Sequence, residues 1–241
     1  MALYLLLVML TACAAIPQDL SGKMFTFPQQ SNTSHVRLTT STQVLRAVTV
    51  CLRSFTDLRR AHPLFSMATP SVSNEVLILK DAANDEFQLH IRNKYVDIRG
   101  QDYKLNTWHS ICTTWDSASG LVQLWLDGKP SSRKFISSGS SISGPIIIVL
   151  GQEQDSHGGG FDSSQSFVGM MSDVHMWDYT ISHCEIQKYL DGMTFTSGNV
   201  LNWNALEFHI TDRVLIEDKQ PICDSTVRTF GRGSFMTSSS Y

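Results

Sequence analysis

The sequence predicts an all-β sandwich with one short helix. Three observations carry that prediction. Apolar residues alternate with polar ones in short runs from Phe25 to Leu150, an Asp-Gly hairpin signal follows one of those runs, and a single segment combines a helix cap with a helical apolar period. The 241 residues are 42% hydrophobic and 17% charged, which is enough apolar material for one large sandwich core and too little charge for a coiled coil or acidic disorder.

Along the chain, Leu3 to Leu10 form the longest apolar run, and the small residues Ala12, Cys13, Ala14 and Ala15 follow it. Residues 1–17 therefore read as a signal peptide cut near 14–17, although the missing Lys or Arg ahead of the run would also suit a buried N-terminal strand or helix. The mature protein is expected to be secreted and soluble, since no later stretch is long enough to span a bilayer. Val48 to Leu52, Glu75 to Leu79, Phe87 to Ile91 and Leu121 to Leu126 have the two-residue period of strands with one buried face. Asp127-Gly128 then marks a tight hairpin, because Gly accepts positive φ without steric cost. Ile146 to Leu150 is apolar throughout, as in a strand covered on both faces. Ser182-His183-Cys184-Glu185 is a capping box; Ile186, Tyr189 and Leu190 share one helical face, and Gly192 can stop the helix. Residues 220–241 turn to Ser, Thr, Gly and Arg after Cys223 and read as a C-terminal tail.

Nineteen Lys plus Arg against 22 Asp plus Glu give a net charge of -3, so nucleic acid is not an expected primary ligand. Of the five Cys, Cys13 leaves with the signal peptide, and Cys51, Cys112, Cys184 and Cys223 remain, an even number suited to an oxidising compartment. They allow three pairings, with Cys184–Cys223 as a second bridge if Cys51 and Cys112 form the first, or a link between subunits as its rival. No C-x-x-C spacing points to zinc. Asn32-Thr33-Ser34 is a glycosylation sequon.

The segment from Gly151 to Gln165 concentrates oxygen donors. Calcium takes six to eight oxygens from carboxylates, amides and carbonyls, and Glu153, Gln154, Asp155, Asp162 and Gln165 could supply most of them. Glycines between them let the chain fold back on itself. The order is neither an EF-hand nor a phosphate loop, and a solvated acidic loop is the competing reading. Glu153 and Asp155, at i and i+2, point the same way on an extended chain, which suits a shared cation better than acid and base on opposite faces of a glycoside. No nucleophile-elbow or zinc-protease motif occurs, so no catalytic residue is assigned. His157 lies in the loop, but calcium prefers oxygen; His109 reads as structural, and Trp115, Trp125, Trp177 and Trp203 as packing.

Ser110-Ile111-Cys112-Thr113-Thr114-Trp115-Asp116-Ser117 resembles the pentraxin signature H-x-C-x-(S/T)-W-x-(S/T), with Ser110 in place of the His. Gly151 to Ser156, Phe167-Val168-Gly169, Met176-Trp177-Asp178 and Asn199-Val200-Leu201-Asn202-Trp203 also resemble the short pentraxins in the same order, and the likeness runs from Lys23 to Lys219. The resemblance implies a two-sheet antiparallel jelly-roll of the lectin or laminin-G kind over 23–219, assembled as a cyclic pentamer. It further implies a Cys51–Cys112 bridge and two calcium ions per subunit. Glu153 and Asp155 would touch both ions, Gln154 would offer its main-chain carbonyl, Asp162 and Gln165 would complete the second ion, and Asn74 would help hold the first.

Two departures weaken that site: Ser73 stands where an Asp is usual, and Asp162 where a Glu is usual. Leu79 takes the place of an aromatic wall beside the metals, and the acid expected to face a choline falls near Lys94 or Tyr95, neither of which is acidic. The family reading is thus a secreted, calcium-dependent pattern-recognition protein without catalytic activity. It would bind phosphorylated head groups or glycans on microbes and damaged cells, with complement components as further partners in innate immunity and the acute phase. The alternatives are an extracellular module that binds proteins without calcium and, less favoured, a glycan-processing enzyme.

Overall fold

The computed structural model describes residues 16–83 and 85–219; the proposed signal-peptide run, Cys223 and the C-terminal tail lie outside the described residues. Its first half contains β1 (Lys23–Phe27), β2 (His35–Leu38), β3 (Val44–Leu45), β4 (Ala47–Phe55), β5 (His62–Thr69), β6 (Val72–Lys80), β7 (Phe87–Ile91) and β8 (Lys94–Ile98). The second half adds β9 (His109–Asp116), β10 (Leu121–Leu126), β11 (Lys129–Pro130), β12 (Lys134–Phe135), β13 (Ile142–Ser143), β14 (Ile147–Leu150) and β15 (Gly169–Trp177). Helix α1 (His183–Leu190) follows, then β16 (Phe208–Thr211) and β17 (Leu215–Asp218). One sheet has the order β11-β10-β9-β4-β15-β1-β17, with β12 also on β10; the other runs β16-β2-β14-β5-β6-β7-β8. All their pairings are antiparallel.

The period-2 pattern does what the sequence predicts. Val50, Leu52, Ile111 and Leu124 from the first sheet meet Met67, Ile78, Leu89 and Ile148 from the second in one core. Asp127 and Gly128 have φ of 47° and 79° and join Leu126 to Lys129 in a two-residue hairpin of the kind whose twist suits the strands. His109 is structural, as expected: its Nδ1 bonds Asp127 Oδ2 at 2.6 Å, and its ring stacks on Tyr103. The four Trp singled out from the sequence are buried.

The outer face of the first sheet carries a second, smaller core. Cys51 and Cys112 sit directly opposite on β4 and β9 and form a disulfide with Cα atoms 4.1 Å apart. Trp125, Trp177, Ile181, Ile186 and Tyr189 pack around it, so α1 lies on this face. Ser182 Oγ accepts the Glu185 N–H at 3.2 Å, but the return half of the capping box is absent. The Glu185 carboxylate instead accepts from Lys188 Nζ at 2.7 Å and from Thr196 N–H at 2.9 Å, because a cation and a free amide compete for it better than the cap N–H. Gly192, at φ 64°, ends the helix, and the Met193 N–H bonds the Lys188 carbonyl at 2.9 Å. Arg53 then caps the Leu190 carbonyl at 2.8 Å. Cys184 is exposed on the first turn and forms no disulfide among the described residues.

Two buried histidines set an acid limit. Burial pushes His62 and His175 down to about 4, against attraction from the Arg60 carbonyl and Asp173 respectively. A depressed His binds fewer protons folded than unfolded, so the stability it confers is complete above the unfolded pKa of 6.5 and is lost as pH falls toward 4. Each should contribute roughly 3 kcal/mol to acid destabilisation by pH 4. His175→Gln is expected to flatten the dependence of urea stability on pH between 6.5 and 4; an unchanged slope would show that His175 is already protonated when folded.

Candidate metal centre

The outer face of the second sheet is occupied by the oxygen-rich loop. On β5 and β6, Met67 and Val76 point to the core, so Ser66 and Leu77 point outward. Gln154 lies on that outward Ser66: its N–H donates to Ser66 Oγ at 3.1 Å, and its Nε2 donates to the Ser66 carbonyl at 3.0 Å and to the Ile147 carbonyl at 3.2 Å. Gln154 Oε1 accepts the Gly158 N–H at 2.9 Å. Two residues earlier, Gln152 Nε2 donates to the carbonyls of Ser31 and Ser34 at 2.8 and 3.0 Å. Both amides are thus buried anchors, and the alternation turns Glu153 and Asp155 the other way.

Beyond Asp155 the chain reverses. Ser156 and Gly159 bond each other as a tight bridge, and a Cβ on Gly160 would meet Asp155 Cβ at 2.8 Å, so the returning strand needs glycine there. Asp162 then opens a short turn: its carbonyl accepts the Gln165 N–H at 3.0 Å and its Oδ1 accepts the Ser164 N–H at 2.8 Å. Those Ser164 bonds, aided by the Arg60 charge, hold the Asp162 carboxyl below the usual carboxylate range. His157 turns its Nε2 to the Pro145 carbonyl.

Burial pushes the Glu153 carboxyl up, and the Asp155 charge pushes it further. The two carboxylates therefore repel each other across a partly dehydrated gap, and neither makes a side-chain hydrogen bond among the described residues. Among those residues no third His, Cys, Asp or Glu gathers with them into a metal-holding group. Apart from the Asp162 carboxylate, the remaining proposed donors are neutral oxygens. Gln154 has its side chain locked, which leaves its main-chain carbonyl without a hydrogen-bond donor among the described residues. Asn74 Oδ1 is buried and has no hydrogen-bond partner among the described residues. An orphaned amide oxygen on β6 and two repelling carboxylates on the loop are hard-oxygen donors of the kind that calcium takes.

Strand register sets the neighbouring wall. Leu79, Gln88 and Asp97 lie side by side on β6, β7 and β8, on the same outward face as Ser66 and Leu77. Tyr95 stands on this same outward face one row along, in line with Leu77 and His90, and stacks on the His90 ring at 5.3 Å, while Lys94 pairs with Ile91 on the other face. The acid in the row of Leu79 is Asp97, which the sequence reading missed because pairing across two turns decides it. Asp97 Oδ1 is buried and has no hydrogen-bond partner among the described residues, while Oδ2 accepts from Arg99 Nη2 at 3.2 Å. Asn32 is exposed in the segment that Gln152 anchors.

A two-sheet jelly-roll with a donor loop on one outer face and a helix on the other defines a lectin-like recognition sandwich. Residues 23–218 match the family model described as Pentaxin family. The chain is 42% identical over 202 residues to serum amyloid P-component of Cavia porcellus, covering 83% of this chain and 89% of that protein. It is 39% identical over 218 residues to C-reactive protein of Sus scrofa, covering 90% and 96%. A native heptameric SAP-like pentraxin from Limulus polyphemus superposes with a TM-score of 0.76 at 25% identity, covering 83% and 96%. The chain belongs to the pentraxin family, and is accordingly a pattern-recognition protein rather than an enzyme. Among the described residues no helix is long and apolar enough to cross a membrane.

Proposed function

We infer that this is a secreted, calcium-dependent pentraxin that binds phosphorylated head groups or glycans on microbes and damaged cells. Two calcium ions per subunit would be held by Glu153 and Asp155 jointly, the Gln154 carbonyl, Asn74, Asp162 and Gln165. The observation that carries this reading is the pair of carboxylates, Glu153 and Asp155, that make no side-chain hydrogen bond among the described residues on a loop anchored by Gln152 and Gln154. Bound calcium supplies open positions for the phosphate or hydroxyl oxygens of a ligand. Leu79 supports an apolar wall, and Asp97 an anionic partner for a ligand ammonium. Leu79 lacks a π face, so cation–π selection for choline over ethanolamine is missing at that position. A primary ammonium can donate to Asp97 directly, and phosphoethanolamine is the favoured head group. A ring of identical subunits fits the family, with five as the proposed number and complement components as partners on the helix side.

Capture of the full chain on phosphoethanolamine and phosphocholine beads, with calcium and then with chelator, tests this reading. Binding should vanish in chelator and favour ethanolamine. Asp97→Asn should weaken phosphoethanolamine about ten-fold while leaving competition by inorganic phosphate unchanged. Binding that persists undiminished in chelator would defeat the calcium reading and favour a protein-binding module.

A further inference from the structure

We propose that the groove on the outer face of the first sheet, lined by Arg133 and His183, binds a small amphiphilic carboxylate of the fatty-acid kind. This face is opposite the donor loop, and the inference does not depend on calcium.

β9 and β10 turn Cys112, Thr114 and Asp116, with their cross-strand neighbours Trp125, Gln123 and Leu121, away from the core. Helix α1 has only eight residues and packs on the Cys112–Trp125 row. The next two rows, Thr114–Gln123 and Asp116–Leu121, floor a cavity of about 400 Å³, a size within the range of small-molecule sites. Ile181 and His183 line it from the helix side, and Arg133 lines it from the segment between β11 and β12.

Two donors in this groove are held in place by neutral partners. Gln123 Oε1 accepts from Arg133 Nε at 3.1 Å while Gln123 Nε2 donates to the Ser131 carbonyl at 2.8 Å, so both ends of the amide are used and its orientation is fixed. Arg133 Nη1 and Nη2 have no acceptor among the described residues, and Arg133 makes no salt bridge among them. The Trp125 indole N–H donates to His183 Nδ1 at 3.2 Å. An indole nitrogen is only a donor, so the proton of a neutral His183 sits on Nε2, which has no acceptor among the described residues. Asp116, the one carboxylate in the lining, is occupied by its own turn: it accepts from the Ala118 and Ser119 N–H groups, each at 3.1 Å, and from Ser119 Oγ at 2.9 Å. Its row also lies about 13 Å along β10 from that of Trp125.

A guanidinium with both outer nitrogens free matches the two oxygens of one carboxylate, and the His183 Nε2–H offers a further bond. Trp125, Ile181 and Leu121 supply apolar surface for a hydrocarbon chain.

Calorimetric titration of the full chain in chelator, with sodium octanoate and with 1-octanol as its neutral analogue, reads the site without the donor loop. Octanoate should bind at least about ten-fold more tightly than octanol. Affinity should rise about three-fold per methylene from butyrate to octanoate. Arg133→Gln should weaken octanoate about ten-fold, and Arg133→Lys should restore only part of the loss because an ammonium lacks the fork. His183→Phe should weaken it about five-fold. Arg133→Met repeats the neutralisation if Arg133→Gln fails to fold. Octanol binding as tightly as octanoate, or affinity unchanged in both Arg133→Gln and His183→Phe, would overturn the proposal. So would a wild type that takes up no octanoate at millimolar concentration, or one that takes it up only with calcium present, which would assign the binding to the donor loop.

Discussion

Replacing Glu153 by Gln is expected to raise the calcium concentration for half-maximal ligand binding by at least about ten-fold. The substitution removes one of the two carboxylates that repel each other in the loop while barely changing side-chain volume, and it also removes the repulsion that burial makes costly in the metal-free state. Both ions should be affected, because the residue is proposed to touch both. Asp162→Asn should act on the weaker ion alone, and Ser73→Asp should tighten the stronger one by adding a charged donor. Titration calorimetry on the three variants gives an order of effects rather than a single value. Calcium affinity unchanged in Glu153→Gln would mean that the loop is not a metal site of this kind.

Removing the Cys51–Cys112 bridge should have the largest effect on stability. The two cysteines are 61 residues apart in sequence, and closing a loop of that size is worth about 4 kcal/mol on the chain-entropy estimate. For a domain of this length that corresponds to a fall in Tm on the order of 10 °C. The double variant Cys51→Ala/Cys112→Ala also leaves two small gaps beneath α1, between Trp125 and Trp177. Thermal unfolding of the oxidised wild type against the double variant measures the sum. A shift of less than about 2 °C would show that packing under the helix, and not the crosslink, holds this face together.

What was legible in the sequence was whatever depends on neighbours a few residues away. Alternation exposed β7 and β10 at their observed limits, and Asp127-Gly128 announced the turn after β10. The Ser182 cap was legible for the same reason, while the Glu185 half of it was not, since Thr196 arrives from outside the helix. β17 left no trace, because all four of its residues are exposed and lack alternation. The Glu153 and Asp155 pair was visible from spacing, but the anchoring role of Gln152 and Gln154 needed Ser31, Ser34 and Ser66 to be placed beneath them. Asp97 was hidden by a turn whose residues give no signal. Arg92 and Asn93 both take positive φ, at 52° and 60°, where Asn-Gly would be the usual sequence, and that turn sets the register which brings Asp97 into line with Leu79.

The helix and the donor loop occupy opposite outer faces of the sandwich, with the whole core between them. Such a protein has polarity in the sense that a coin has: whatever surface the loop side settles on, the helix side is left facing away from it. Docking on one side consumes none of the area available to the other, so a second molecule can be recruited without competing with the first. Joined edge to edge with all loops facing alike, several copies would lie flat on a membrane or capsule, and individually weak contacts would add as linked events rather than independent ones. A change of calcium concentration would then detach the array over a narrower range than it would a single subunit.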